Sequence, residues 1–137
     1  MKHFKGFTLI EIMVVVVILA ILAAIVVPNV TRGIVEARIQ AAKSDLRTIE
    51  SALTLYKIDN YRYPTTEQGL IALFERPSAA DAPNWNAEGY LKKLPTDPWG
   101  NPYLYTSDGA RIELYTLGSD SQPGGEFEAG DIRWADL

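Results

Sequence analysis

Residues 7–27 are apolar at nearly every position, after which the spacing of apolar side chains changes character. As a helix, a run of about 21 residues spans about 31 Å, the hydrocarbon thickness of a bilayer. Lys2 and Lys5 precede the run and no Lys or Arg follows until Arg32. The positive-inside tendency therefore predicts a cytoplasmic N-terminus with the rest of the chain outside. Beyond Gly33 the apolar positions Val35, Ile39, Ala42, Leu46, Ile49, Leu53 and Tyr56 recur at alternating spacings of four and three. That periodicity draws one stripe along a helix, with Glu36, Arg38, Lys43, Asp45, Arg47 and Glu50 in between. A helix over residues 7–56 would be roughly 75 Å long, too long for a compact domain of this size. Its first half must bury itself in lipid or in other copies of the chain.

Pro28 stands between the two patterns. A proline costs about 3 kcal/mol in a helix interior and disfavours helix at the residue before it. Either it is a tolerated kink or it marks a segment that unwinds when subunits pack.

The amphipathic pattern stops near Asp59-Asn60, before Tyr63-Pro64. Thr65-Thr66-Glu67-Gln68 then predicts a capping-box start for a short helix through Leu70, Ile71, Leu73 and Phe74, ended by Pro77. The prolines in Leu94-Pro95-Thr96-Asp97-Pro98-Trp99-Gly100-Asn101-Pro102 predict a fixed, extended lid without regular structure. Tyr103-Leu104-Tyr105-Thr106 and Ile112-Glu113-Leu114-Tyr115-Thr116, around Asp108-Gly109, predict a hairpin. So small a sheet needs a partner face, and the stripe on the long helix supplies one. The organisation is a leader over 1–6, an apolar helix over 7–30, its amphipathic continuation over 31–60, and a small globular region over 61–137. The fold class is α+β.

Composition narrows the chemistry. The chain has 137 residues, a net charge of −4, no Cys, and one His at position 3. Without Cys there are neither disulfides nor thiolate metal sites. If the leader is removed no imidazole remains, which excludes Ser-His-Asp triads, His-ligated zinc and a His general base. A membrane-anchored hydrolase using Asp97, Asp120 or Asp131 stays conceivable, since carboxylate pairs alone can cleave glycosides. The slight acidity, with no basic run outside the leader, argues against nucleic acid as a partner.

Two features need a cause. Glu11 lies inside the apolar run, where a carboxylate costs a few kcal/mol on insertion scales. A secretory signal peptide or a simple signal anchor would account for the run but not for the acid. The carboxylate either snorkels to the headgroups or has a dedicated partner. The second feature is residues 117–132, acidic, Gly-rich and without periodicity. The EF-hand order is absent, and taken alone the stretch reads as a solvated loop. Ordering a loop this long is entropically costly, and carboxylates with glycine-freed carbonyls could fold it around Ca²⁺.

The sequence Gly6-Phe7-Thr8-Leu9-Ile10-Glu11 after a short basic leader resembles the processing site of type IV pilins and type II secretion pseudopilins. Tyr63-Pro64-Thr65-Thr66-Glu67-Gln68-Gly69-Leu70, Asp97-Pro98-Trp99-Gly100-Asn101-Pro102-Tyr103 and Leu117-Gly118-Ser119-Asp120 narrow it to the major, G-type, pseudopilin family. The resemblance implies a type IV pilin-like fold and a structural subunit, not an enzyme. It implies cleavage between Gly6 and Phe7 by a prepilin peptidase, and N-methylation of Phe7. Glu11 would then meet the new amine of its own or a neighbouring chain and pin the register of a helical homopolymer. The implied setting is the bacterial inner membrane and periplasm. The partners there would be an assembly platform with its ATPase, minor pseudopilins and an outer-membrane secretin. The family also binds calcium in its C-terminal loop. Asp120 and Asp131 match the ligand carboxylates, and Leu117 and Gln122 the main-chain carbonyls. Residues 124–130 look longer than the family's spacing, so Glu126 or Glu128 could replace Asp131. A true type IV pilin for adhesion, motility or DNA uptake is the alternative. Many of those close the loop with a disulfide.

Overall fold

The structure, a computed structural model, describes residues 6–137 apart from the side chains of residues 27–30. The expectations for Pro28 and for residues 1–5 of the leader lie outside the described residues. One helix, α1 (Leu9–Asn60), accounts for 52 residues. Met1–Glu36 and Ala37–Leu137 are two compact units, and each is described by itself.

In the second unit the periodicity of α1 becomes a buried stripe. Ala42, Leu46, Ile49, Leu53 and Tyr56 are wholly inaccessible, with Ile39 packed at the edge. Leu70, Leu73, Ala82, Tyr103, Leu114 and Ile132 complete the same core. Burial of each large apolar side chain contributes about 1.5–3 kcal/mol, so this stripe is what holds the small domain on its helix.

Strands β1 (Leu104–Ser107), β2 (Ile112–Thr116) and β3 (Ile132–Arg133) form an antiparallel sheet in the order β1-β2-β3. Tyr105 faces Leu114 across the first pair, and Tyr115 faces Arg133 across the second. The hairpin turn is closed as its sequence predicts. The Asp108 carboxylate accepts the amides of Ala110 at 2.9 Å and Arg111 at 2.7 Å, and Gly109 takes φ +88°. The short strand β3 was not anticipated.

The capping box at Thr65 is present in both directions: Thr65 N–H donates to Gln68 Oε1 at 2.8 Å, and Gln68 N–H to Thr65 Oγ1 at 3.3 Å. The helix it was expected to open is only the 3₁₀ turn Leu70–Leu73, because Gly69 breaks the path at φ +60° and ψ −171°. The proline-rich segment is fixed but not extended. Asp97 N–H donates to Asn101 O at 2.8 Å and Gly100 N–H to Asp97 O at 2.9 Å, closing a turn. The cause is Asp97, whose Oδ1 accepts the amides of Trp99 and Asn101 at 3.0 and 2.7 Å. A side chain that mimics backbone overrides the extended preference of the prolines.

Candidate functional site

In the first unit, the predicted processing residues Gly6 and Phe7 are exposed and are followed by Thr8, which leads into α1. A Cβ on Gly6 would meet nothing within 4 Å, so the residue leaves an uncrowded backbone. Thr8 and Glu11 form a second capping box that the sequence reading missed, although Thr-x-x-Glu ahead of an apolar run is its signature. Thr8 N–H donates to Glu11 Oε2 at 2.8 Å and the Thr8 hydroxyl to the same oxygen at 3.0 Å; Glu11 N–H returns to Thr8 Oγ1 at 3.3 Å. The acid therefore has a partner within its own chain, at the helix end where the macrodipole favours negative charge. Side chains over residues 9–26 are all exposed. Among the described residues α1 is the one helix long and apolar enough to cross a membrane.

In the second unit, the acidic loop is wound rather than open. Gly118, Ser121, Gly124, Gly125 and Phe127 all take positive φ. Asp120 Oδ1 accepts Gln122 N–H at 3.0 Å, and Asp131 Oδ1 accepts Gly124 N–H at 3.1 Å. Those two amides are separated by at most about 7 Å of backbone. Asp120 and Asp131 are thus brought to one short arc, with the backbone of Leu117 and Gln122 adjoining it in sequence. Arg133 Nη2 lies 3.7 Å from Asp131 Oδ2. Of the substitutes, Glu128 is engaged elsewhere: its Oε1 accepts Arg38 Nη1 at 2.9 Å and Trp99 Nε1 at 3.3 Å. The Arg38 guanidinium, then the Trp99 indole, hold the Glu128 carboxyl below its ordinary range.

The donors on this arc are oxygens, which suits a hard divalent cation. Among the described residues no three His, Cys, Asp or Glu side chains converge. Two carboxylates would hold Ca²⁺ only with further oxygens, from main-chain carbonyls or water, completing the shell. Asp97, the third aspartate considered, sits in the core with 3% exposure. Its Oδ2 accepts the Thr116 hydroxyl at 2.6 Å, and with its two amide contacts it serves the fold.

A processing-type Gly-Phe ahead of a long helix, whose second part carries a small antiparallel sheet, defines the pseudopilin class of the type IV pilin-like fold. The chain belongs to the family described as type II secretion system (T2SS), protein G, whose model matches residues 29–134. A prokaryotic N-terminal methylation motif matches residues 1–27. The type II secretion system core protein G of Pseudomonas aeruginosa is 55% identical over 131 residues, covering 93% of this chain and 92% of the relative. That of Vibrio cholerae is 50% identical over 134 residues, covering 96% and 92%. The crystal structure of the major pseudopilin from the type 2 secretion system of enterohaemorrhagic Escherichia coli superposes with a TM-score of 0.67. It shares 39% identity and covers 82% of this chain and 98% of that one. These relatives favour a structural subunit of type II secretion over a pilus subunit for adhesion, motility or DNA uptake.

Proposed function

We propose that this major pseudopilin is cleaved between Gly6 and Phe7, N-methylated at Phe7, and drawn from the inner membrane into a periplasmic helical homopolymer. Prepilin peptidase performs the processing. An inner-membrane platform and its ATPase drive assembly, because the chain has no phosphate-binding loop of its own. Minor pseudopilins and an outer-membrane secretin complete the path by which folded proteins leave the cell. The N-terminus is cytoplasmic and the globular unit periplasmic. The chain itself catalyses nothing.

The observation that carries this reading is the placement of Glu11 in the first turn of an exposed apolar helix, four residues after Phe7. Thr8 supplies neutral donors to one carboxylate oxygen but no countercharge. The amine released at Phe7 supplies that charge, and when it belongs to a neighbour it fixes one axial offset between helices, as a buried polar residue fixes coiled-coil register. Glu11→Ala and Glu11→Gln are expected to insert normally and to abolish filaments. Wild-type filament yield from both would end the proposal, as would a mature protein that begins at Met1.

Calcium is the proposed cofactor of the second unit. Asp120 and Asp131 would hold it with the carbonyls of Leu117 and Gln122. A bound divalent ion offsets the repulsion of the loop's carboxylates and replaces flexible contacts by a fixed shell. The chain's own part is to present Asp131 beside Gly124 and Asp120 beside Gln122, so that both carboxylates arrive already oriented.

A further inference from the structure

Glu128 lies inside the acidic loop, yet its carboxylate is bonded to two distant parts of the chain. Arg38, ninety residues earlier on α1, donates at 2.9 Å, and the Trp99 indole donates to the same oxygen at 3.3 Å. Trp99 stands on the turn that Asp97 closes, and Asp97 Oδ2 also receives the Thr116 hydroxyl. Thr116 Oγ1 in turn accepts Gly118 N–H at 3.3 Å. A single rigid turn therefore grips the loop twice: on entry through Thr116 and Gly118, and on its return through Glu128. Between the two grips the limbs are in contact. A Cβ on Gly118 would lie 2.4 Å from Glu128 O and 2.9 Å from Gly130 O.

We infer that Glu128 is a positioning residue: through Arg38 and Trp99 it holds the return limb so that Asp131 reaches the arc at Gly124 before any cation arrives. The inference rests on the reading of this loop as the calcium site. Each residue ordered in advance is one whose conformational freedom binding need not remove. A loop held at both ends therefore fills at a lower calcium concentration than one held only on entry. The same contact commits Glu128 Oε1 to Arg38 and Trp99.

Charge and positioning predict opposite results at Arg38. Its guanidinium is a positive charge close to a cation-binding loop, so its removal should tighten calcium binding if simple electrostatics govern. If Arg38 positions the loop, its removal should weaken binding. The test is amide hydrogen exchange on the full-length protein in detergent, over residues 118–131, in chelator and across a calcium titration. The proteins are wild type, Arg38→Met and Glu128→Gln, and exchange over residues 42–56 reports that the domain remains folded. Both variants are expected to exchange faster than wild type in chelator. Both should raise the calcium midpoint by about threefold to tenfold, the scale of one partly exposed charge-assisted contact. Saturating calcium should restore protection. An unchanged or lowered midpoint in Arg38→Met overturns the inference, as does a raised midpoint confined to Glu128→Gln, which would make Glu128 a ligand. If wild-type protection does not respond to calcium, the calcium reading has failed. The positioning role is then decided in chelator alone, where equal exchange in the three proteins overturns it and faster exchange in both variants supports it.

Discussion

The Thr116 hydroxyl donates to Asp97 Oδ2 at 2.6 Å inside the core, joining the end of β2 to the proline-rich turn. Asp97 also accepts two backbone amides, so one buried carboxylate satisfies three donors. Asp97→Ala strands all three and is expected to cost about 3 kcal/mol, while Thr116→Val removes two contacts, the bond to Asp97 and the one accepted from Gly118 N–H, at about 1.5 kcal/mol. Urea unfolding followed by tryptophan fluorescence checks both. Equal costs for the two variants would show that the amide contacts contribute little.

Alkaline stability should follow the buried phenols. Tyr105 donates its hydroxyl to Pro64 O at 2.7 Å, and burial pushes it up to about 12. Burial, reinforced by the bond from its hydroxyl to Asp45, also raises Tyr103. A phenol that ionises less readily when folded stabilises the protein fully below the unfolded value, near pH 10. That stability is lost as pH rises from about 10 toward 12. Thermal melts across this range should show a falling melting temperature, and the decline should be shallower in Tyr105→Phe. An identical slope in the variant would remove Tyr105 from the account.

Gly118 tests the packing of the loop on itself. Its φ is +71° and a side chain would run into the return limb. Gly118→Ala is expected to destabilise by about 2 kcal/mol or more. Gly100, also at positive φ (+90°) but with nothing within 4 Å of a Cβ, should show only the backbone strain of about 1 kcal/mol. Comparing the two melts separates steric conflict from conformational strain.

Calcium removal should open the loop without unfolding the helix stripe. In chelator, limited proteolysis is expected to nick residues 118–131 while the core stays intact. Asp120→Asn and Asp131→Asn should show that sensitivity in calcium as well. Resistance in chelator equal to that in calcium would remove the metal from the proposal.

Much of this was legible in the chain because the signals are local. The stripe from Ile39 to Tyr56 repeats at the helical period, and burial follows wherever a partner face exists. Asp108-Gly109 fixes a turn within four residues, and Thr65 with Gln68 marks a reciprocal cap by spacing alone, though the helix expected after it shrinks to a 3₁₀ turn. Other features were local but masked by stronger ones. The Thr8–Glu11 box was overshadowed by the charge of Glu11, and the prolines around Asp97 concealed a side chain able to bend the segment into a turn. Tyr61, which leaves α1 at φ +63°, carries no glycine to announce the left-handed exit.

By itself, the sequence determined the membrane-length helix, its change from apolar to amphipathic, the N-terminal methylation motif and the family, because each depends on residues near one another in the chain. Only the tertiary structure decided that β3 pairs with β2, that Asp131 meets Gly124, and that Glu128 is bound to Arg38 and Trp99. Those contacts join residues up to ninety positions apart. No periodicity encodes them, since a carboxylate in a flexible, glycine-rich stretch acquires its partner only when the packed core brings separate segments within hydrogen-bonding distance.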